Sequence, residues 1–140
     1  IATASPLLPP GPALIVSCDI NTRFDYRTLA ARMDAMAATR EPPRAHLVLV
    51  PNPPYHSEGD FALEGDKVVL DGAARLTFGN IGIYDMALFA GLPRGVKLRM
   101  LPLYRTWIAR GIVSGERYDG PWANVGTPAD LAELDAALRK

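Results

Sequence analysis

Four consecutive apolar residues, Ala13-Leu-Ile-Val16, stop abruptly at Ser17, Cys18 and Asp19. A run of that length bounded by small and polar residues reads as a strand buried on both faces, emerging at the edge of a parallel sheet. Asp25 then offers a helix cap, and Leu29, Met33, Met36 and Ala37 recur behind it at helical spacing. Strand, acid-bearing turn and helix make half of a βαβ unit, so the chain is expected to fold as α/β. Ligands of open α/β sheets bind beyond the carboxyl ends of the strands, which puts Asp19 on the ligand side. An unpaired carboxylate there suits a metal ion carrying phosphate ligands.

The rest of the chain continues the alternation. Ile1 to Pro12 holds four prolines and reads as a surface connector. A loop is expected over residues 39–44, then a second buried strand at Ala45-His-Leu-Val-Leu-Val50, ended by the prolines of residues 51–54. His46 and His56 have no metal-ligand spacing and are read as structural or exposed. Asp60 to Leu63 and Lys67 to Leu70 form a hairpin around Gly65, and Arg75 to Tyr84 is the third long strand. Asp85 opens a short helix through Phe89. Leu101, Tyr104, Trp107 and Ile108 share one helical face read as core, with Gly111 as the stop. Ile112 to Tyr118 is expected at a sheet edge. Thr127-Pro-Ala-Asp130 carries a capping box with proline at the first helical position. Behind it Leu131, Leu134 and Leu138 are expected to face the core, while Arg139 and Lys140 suit the helix's negative end.

The balance of 15 basic and 15 acidic residues leaves no basic stripe for nucleic acid phosphates, so a polymeric nucleic acid is not an expected partner. A single cysteine gives neither an intramolecular disulfide nor a zinc pattern. No apolar run is long enough to cross a membrane and no signal segment is evident, which points to the cytoplasm. The 140 residues suit one domain with a modest core. The chain starts at Ile1 rather than Met, so a processed or partial chain is expected.

Three stretches carry a family resemblance: Cys18-Asp19 at the end of the first strand, Gly59-Asp-Phe61 with Leu76-Thr-Phe-Gly-Asn-Ile-Gly-Ile-Tyr84, and Trp122-Ala-Asn-Val-Gly-Thr-Pro128 before a helix. Together they resemble the bacterial sugar-1-phosphate nucleotidylyltransferases, most closely those that uridylylate N-acetylmuramate 1-phosphate in cell-wall recycling. The resemblance runs over nearly the whole chain but covers the later part of the family's fold. The family's opening segment, with its glycine-rich nucleotide loop and Pro-Lys-Pro lysine, has no counterpart. It implies a Rossmann-like three-layer αβα nucleotidyltransferase fold lacking its N-terminal nucleotide-binding segment, residues 1–140 being the C-terminal portion of one domain.

The resemblance also implies an activity: magnesium-dependent nucleotidyl transfer from a nucleoside triphosphate, UTP by the closest likeness, to a sugar 1-phosphate, with release of pyrophosphate. Asp19 takes the place of the family's Gly-Asp acid, after a cysteine where the family has glycine. Asn124 takes the place of the second Mg²⁺ acid, keeping the carbonyl oxygen and losing the charge. Gly59 and Asp60 would form a sugar-binding rim. Gly79 and Asn80 would meet the sugar where two glycines, Gly79 and Gly82, thin out a strand; a bulge at the sheet edge is the other reading. A companion chain or fragment would supply the missing half. The alternative is an inactive or regulatory relative that binds a sugar phosphate without turnover.

Overall fold

The computed structural model describes residues 1–39, 42 and 44–139. The loop expected over residues 39–44 and the charge expected at Lys140 therefore lie partly or wholly outside the described residues. The three long strands lie in one six-stranded sheet. They are β1 (Pro12–Val16), β3 (Ala45–Val50) and β6 (Arg75–Asp85), and the spatial order is β1-β6-β3-β7-β5-β4. Here β4 is Phe61–Glu64, β5 is Lys67–Val69 and β7 is Val113–Arg117. A separate two-stranded ribbon pairs β2 (Ile20–Thr22) with β8 (Trp122–Asn124).

Two helices cover opposite faces, as side-chain alternation along β3 dictates. All six residues of β3 are buried. On one face Val48, with Ile81 and Ile83 of β6, packs on Leu29 and Met36 from α1 (Ala30–Ala38) and the 3₁₀ turn before it. On the other, Leu47 and Leu49 join Tyr84 and the Tyr104, Trp107 and Ile108 row of α2 (Met100–Ala109). That is the expected three-layer αβα arrangement. The capping reading of Asp25 holds, since its carboxylate accepts the Arg27 N–H at 3.1 Å. Gly65, at φ +63°, turns the hairpin between Glu64 and Lys67, which stand opposite each other.

Four expectations are corrected. β1 is not buried within a parallel sheet: among the described residues it pairs only with β6, antiparallel, and is half-buried at the sheet's edge. Its apolar run reflects packing on one side and exposure on the other, with Val16 37% exposed. β7 is interior, parallel to β3 and flanked by β5, because Val113 and Gly115 are small enough to be enclosed. Leu101 is exposed on α2, outside the buried aromatic row. The fourth concerns α3 (Pro128–Leu138). The capping box forms, with Thr127 and Asp130 bonding reciprocally at 3.2 and 2.9 Å. Yet no residue of α3 is buried, and Leu131 and Leu138 are 58% and 65% exposed. Leu134, between them, is half-buried.

Candidate active site

The site grows from an irregularity in β6. Across β3, Val48 faces Ile81 but Leu49 faces Phe78, so Gly79 and Asn80 bulge out of the ladder. Asn80 sits at φ +58°, the only non-glycine with positive φ among the described residues. Asparagine tolerates this left-handed conformation better than most residues, because its short polar side chain can bond locally. A side chain at Gly79 would come within 3.1 Å of the Val48 carbonyl oxygen and of Val50. The bulge reading is therefore correct, but the bulge lies inside the sheet, between β1 and β3, rather than at an edge. Gly82 has a different reason: the Tyr84 ring folds over it, 2.7 Å from where a Cβ would stand.

Neighbouring groups fasten the bulge. The indole N–H of Trp122 donates to the Gly79 carbonyl at 2.9 Å. One carboxylate oxygen of Asp60 accepts the Phe78 N–H at 2.8 Å, and the other lies 3.2 Å from His56 Nε2. Asp60 thus clamps its loop to the bulging strand. Gly59 is buried at φ +62°, and a Cβ there would press within 2.7 Å of Asn52 Oδ1. That amide accepts from Thr77 Oγ1 at 2.9 Å and donates to the Ser57 and Arg75 carbonyls. Gly59 is required by this internal packing and does not line the cavity described next.

A cavity of about 310 Å³ opens over the bulge. Phe78, Tyr104 and Trp122 give it aromatic walls, and Asp60, Asn80 and Asn124 bring convergent polar groups. A mostly apolar hollow with a few placed polar groups is the usual form of a small-molecule site. Tyr104 serves both core and wall: its hydroxyl bonds that of Tyr84 at 2.8 Å, and burial pushes its pKa up to about 12.

Asp19 and Asn124 meet on the ribbon beside this cavity. Ile20 stands opposite Asn124, and the Val125 N–H donates to the Asp19 carbonyl at 2.6 Å. Asn124 reaches the cavity, whereas Asp19 is exposed next to it and is not part of its lining. Gly126 leaves room for the Asn124 amide, which would lie 3.1 Å from any Cβ at that position. Among the described residues no three His, Cys, Asp or Glu side chains converge as metal ligands. One carboxylate and one amide oxygen can hold Mg²⁺ only where phosphates and water complete its shell, the common arrangement for that ion.

Of the sequence-read candidates, Asp60, Asn80 and Asn124 share the cavity, Gly79 supports it, and Asp19 adjoins it. The ribbon strands, the Asn52–Thr77 brace and the roles of His56, Phe78 and Trp122 were not legible. The ribbon strands span three residues each, too few for periodicity to register. The tryptophan immediately before Ala-Asn was the one available signal.

No protein-family model matches the chain. The chain is 37% identical over 139 residues to the N-acetylmuramate α-1-phosphate uridylyltransferase of Neisseria meningitidis serogroup B, aligning 97% of itself with 59% of that protein. It thus spans less than two thirds of that protein's length. Solved structures give the same picture. A protein from Bacillus anthracis described as a glucose-1-phosphate thymidylyltransferase, in complex with sucrose, superposes at a TM-score of 0.75 with 15% identity, over 99% of this chain and 59% of its own. The UTP-bound UGPase of Acinetobacter baumannii gives 0.67 with 12% identity, over 99% and 55%. An apo UDP-glucose pyrophosphorylase gives 0.66 with 12% identity, over 99% and 57%. The resemblance read from the motifs is borne out in sequence, and the fold is that of the sugar-1-phosphate nucleotidyltransferases.

Proposed function

We propose that this chain is the sugar-phosphate-binding portion of a single nucleotidyltransferase domain. That domain would transfer a nucleotidyl group from a nucleoside triphosphate to a sugar 1-phosphate and release pyrophosphate. The observation that carries the reading is the cavity over the Gly79–Asn80 bulge, closed on one side by the ribbon that bears Asp19 and Asn124. UTP and N-acetylmuramate 1-phosphate are the substrates the meningococcal relative's name suggests, and cell-wall recycling in the cytoplasm follows from them. Nucleotide-binding residues are proposed to come from a segment beyond these 140 residues.

The chemistry needs positioning more than acid–base groups. The attacking sugar phosphate is already ionised, and the barrier lies in bringing two anions together while charge builds on the departing pyrophosphate. The aromatic walls exclude water and hold the sugar ring by its apolar faces. Asn80 presents a donor and an acceptor to sugar hydroxyls, and its strained backbone fixes the amide in place. Asp60 keeps the Phe78 N–H occupied, so the bulge cannot slip back into register. Asp19 and Asn124 would hold Mg²⁺, which when bound neutralises the phosphates that meet beside the cavity.

Asn124 is the observation that favours a second reading, a relative that binds sugar phosphate without turning it over. Calorimetric titration of Mg²⁺, with sugar 1-phosphate and nucleoside triphosphate present, decides between them on protein that includes the nucleotide-binding segment. Asn124→Asp is expected to tighten divalent-ion binding and raise turnover, because a second charge faces the ion. Asp19→Asn is expected to weaken both. If neither change moves affinity or turnover, the catalytic reading is wrong.

A further inference from the structure

A second polar cavity of about 310 Å³ lies at the opposite end of β3 from the bulge. It is bounded by α1, the β4–β5 turn and the entry to β7. Three cationic side chains, Arg32, Arg44 and Lys67, line it with one acid, Asp66. The chain as a whole carries no net charge, so a local excess of two positive charges is a concentration, not a reflection of composition. Arg32 meets Asp66 at 3.8 Å, and among the described residues Arg44 and Lys67 have no ion-pair partner.

The wall of this cavity is built, not incidental. Ser114 lines it, and the fully buried His46 holds the serine hydroxyl at 2.8 Å through Nδ1. His46 Nε2 lies 3.2 Å from a Glu116 carboxylate oxygen. A carboxylate only accepts, so Nε2 carries the proton and Nδ1 accepts from the serine. Burial disfavours the imidazolium form, the Glu116 hydrogen bond opposes this, and the Arg32 charge adds a smaller push the same way as burial.

We propose that this cavity is a second binding site, for a small phosphate-type dianion such as inorganic phosphate or a phosphomonoester. Lys67 and Arg44 would neutralise its charge, and Arg32 would turn from Asp66 to share it. Strand β3 spans its six residues between the two cavities, at about 3.3 Å each, so one small molecule cannot fill both. The site is independent of the transferase reading.

The test is amide NMR of the 140-residue chain titrated with inorganic phosphate, against sodium chloride at matched ionic strength. Saturable shifts are expected at residues 66–67 and 111–114, absent with chloride. Arg44→Ala and Lys67→Ala should each weaken binding about tenfold, and Lys67→Arg should largely retain it. A sugar 1-phosphate with the same shifts and affinity identifies the phosphate group as the ligand, and tighter binding identifies a phosphomonoester. Asn80→Ala, in the other cavity, should change nothing here. Equal shifts with chloride, unaltered affinity in Arg44→Ala and Lys67→Ala, or shifts confined to the bulge and ribbon would overturn the proposal.

Discussion

Asn80 and His46 are the two residues whose environments make the sharpest demands. A left-handed residue other than glycine costs roughly 1–2 kcal/mol, less for asparagine. Asn80→Gly should therefore preserve or slightly raise stability while emptying the cavity of its amide, and Asn80→Ala should lower stability by about 1 kcal/mol. Denaturant unfolding of both variants, with sugar 1-phosphate binding measured in parallel, separates strain from recognition; equal stabilities would mean the conformation is not strained. His46 sets a pH dependence. Burial lowers its pKa below the ordinary 6.5, so below that value the unfolded chain binds the proton that the folded chain refuses. Stability should fall as pH drops from about 6.5 toward the folded-state value, and His46→Asn should flatten that slope. The groups that face it, Ser114 and Glu116 on β7, Arg32 on α1 and Asp66 in the hairpin turn, must be intact for the comparison. Thermal unfolding between pH 7 and pH 5 in a phosphate-free buffer is the check, and parallel curves for the two proteins would count against it.

At the scale of elements, the core pairing of Tyr84 and Tyr104 invites a direct measurement. Tyr84→Phe leaves the Tyr104 hydroxyl without its partner in a buried setting, which should cost about 1–3 kcal/mol. A loss below a few tenths would show that water replaces the lost bond. These elements also mark what the chain's pattern could reveal. Long strands and the α2 stripe were legible because burial on both faces, or on one helical face, leaves unbroken periodicity. Asp25 and Thr127 were legible because a cap is a local contact between residues two or three apart. The Gly79–Asn80 bulge was readable only as an alternative, since two glycines within four residues fit a bulge or a ligand equally well. The clamps on it join residues 18 and 43 positions apart, Asp60 to Phe78 and Trp122 to Gly79, and no local pattern encodes such pairings. The antiparallel partner of β1 lies some 70 residues on, beyond the reach of the strand–helix logic that suggested a parallel sheet.

Two features of the whole molecule stand uncovered: among the described residues β1 has an unpaired strand edge, and α3 presents Leu131 and Leu138 to solvent. Free strand edges invite pairing with another chain, and exposed leucine rows invite burial. The curated relative has about two fifths of its length outside the aligned region, enough to supply a strand and a helix. A companion segment is thus expected to cover both features. Co-expression with the remaining part of the relative's length should give a stable complex, and Leu131→Lys with Leu138→Lys should weaken it. In the isolated chain that double change should alter stability by less than about 0.5 kcal/mol per site, because surface positions seldom contribute more. Sedimentation that finds only a monodisperse monomer, with no complex formed on co-expression, would refute the expectation.

The indole bond from Trp122 to Gly79 has an optical consequence. The chain has two tryptophans, and they occupy unlike places: Trp107 is 4% exposed among aromatic rings, while Trp122 is half-buried with its N–H on a backbone carbonyl beside the cavity. Their emissions should differ in wavelength and in access to quenchers. Replacing Trp107 with Phe would leave a single tryptophan, whose nitrogen touches the bulge. Its emission would then report, without any added label, whether a ligand has entered over Asn80 or the ribbon has let go of the sheet.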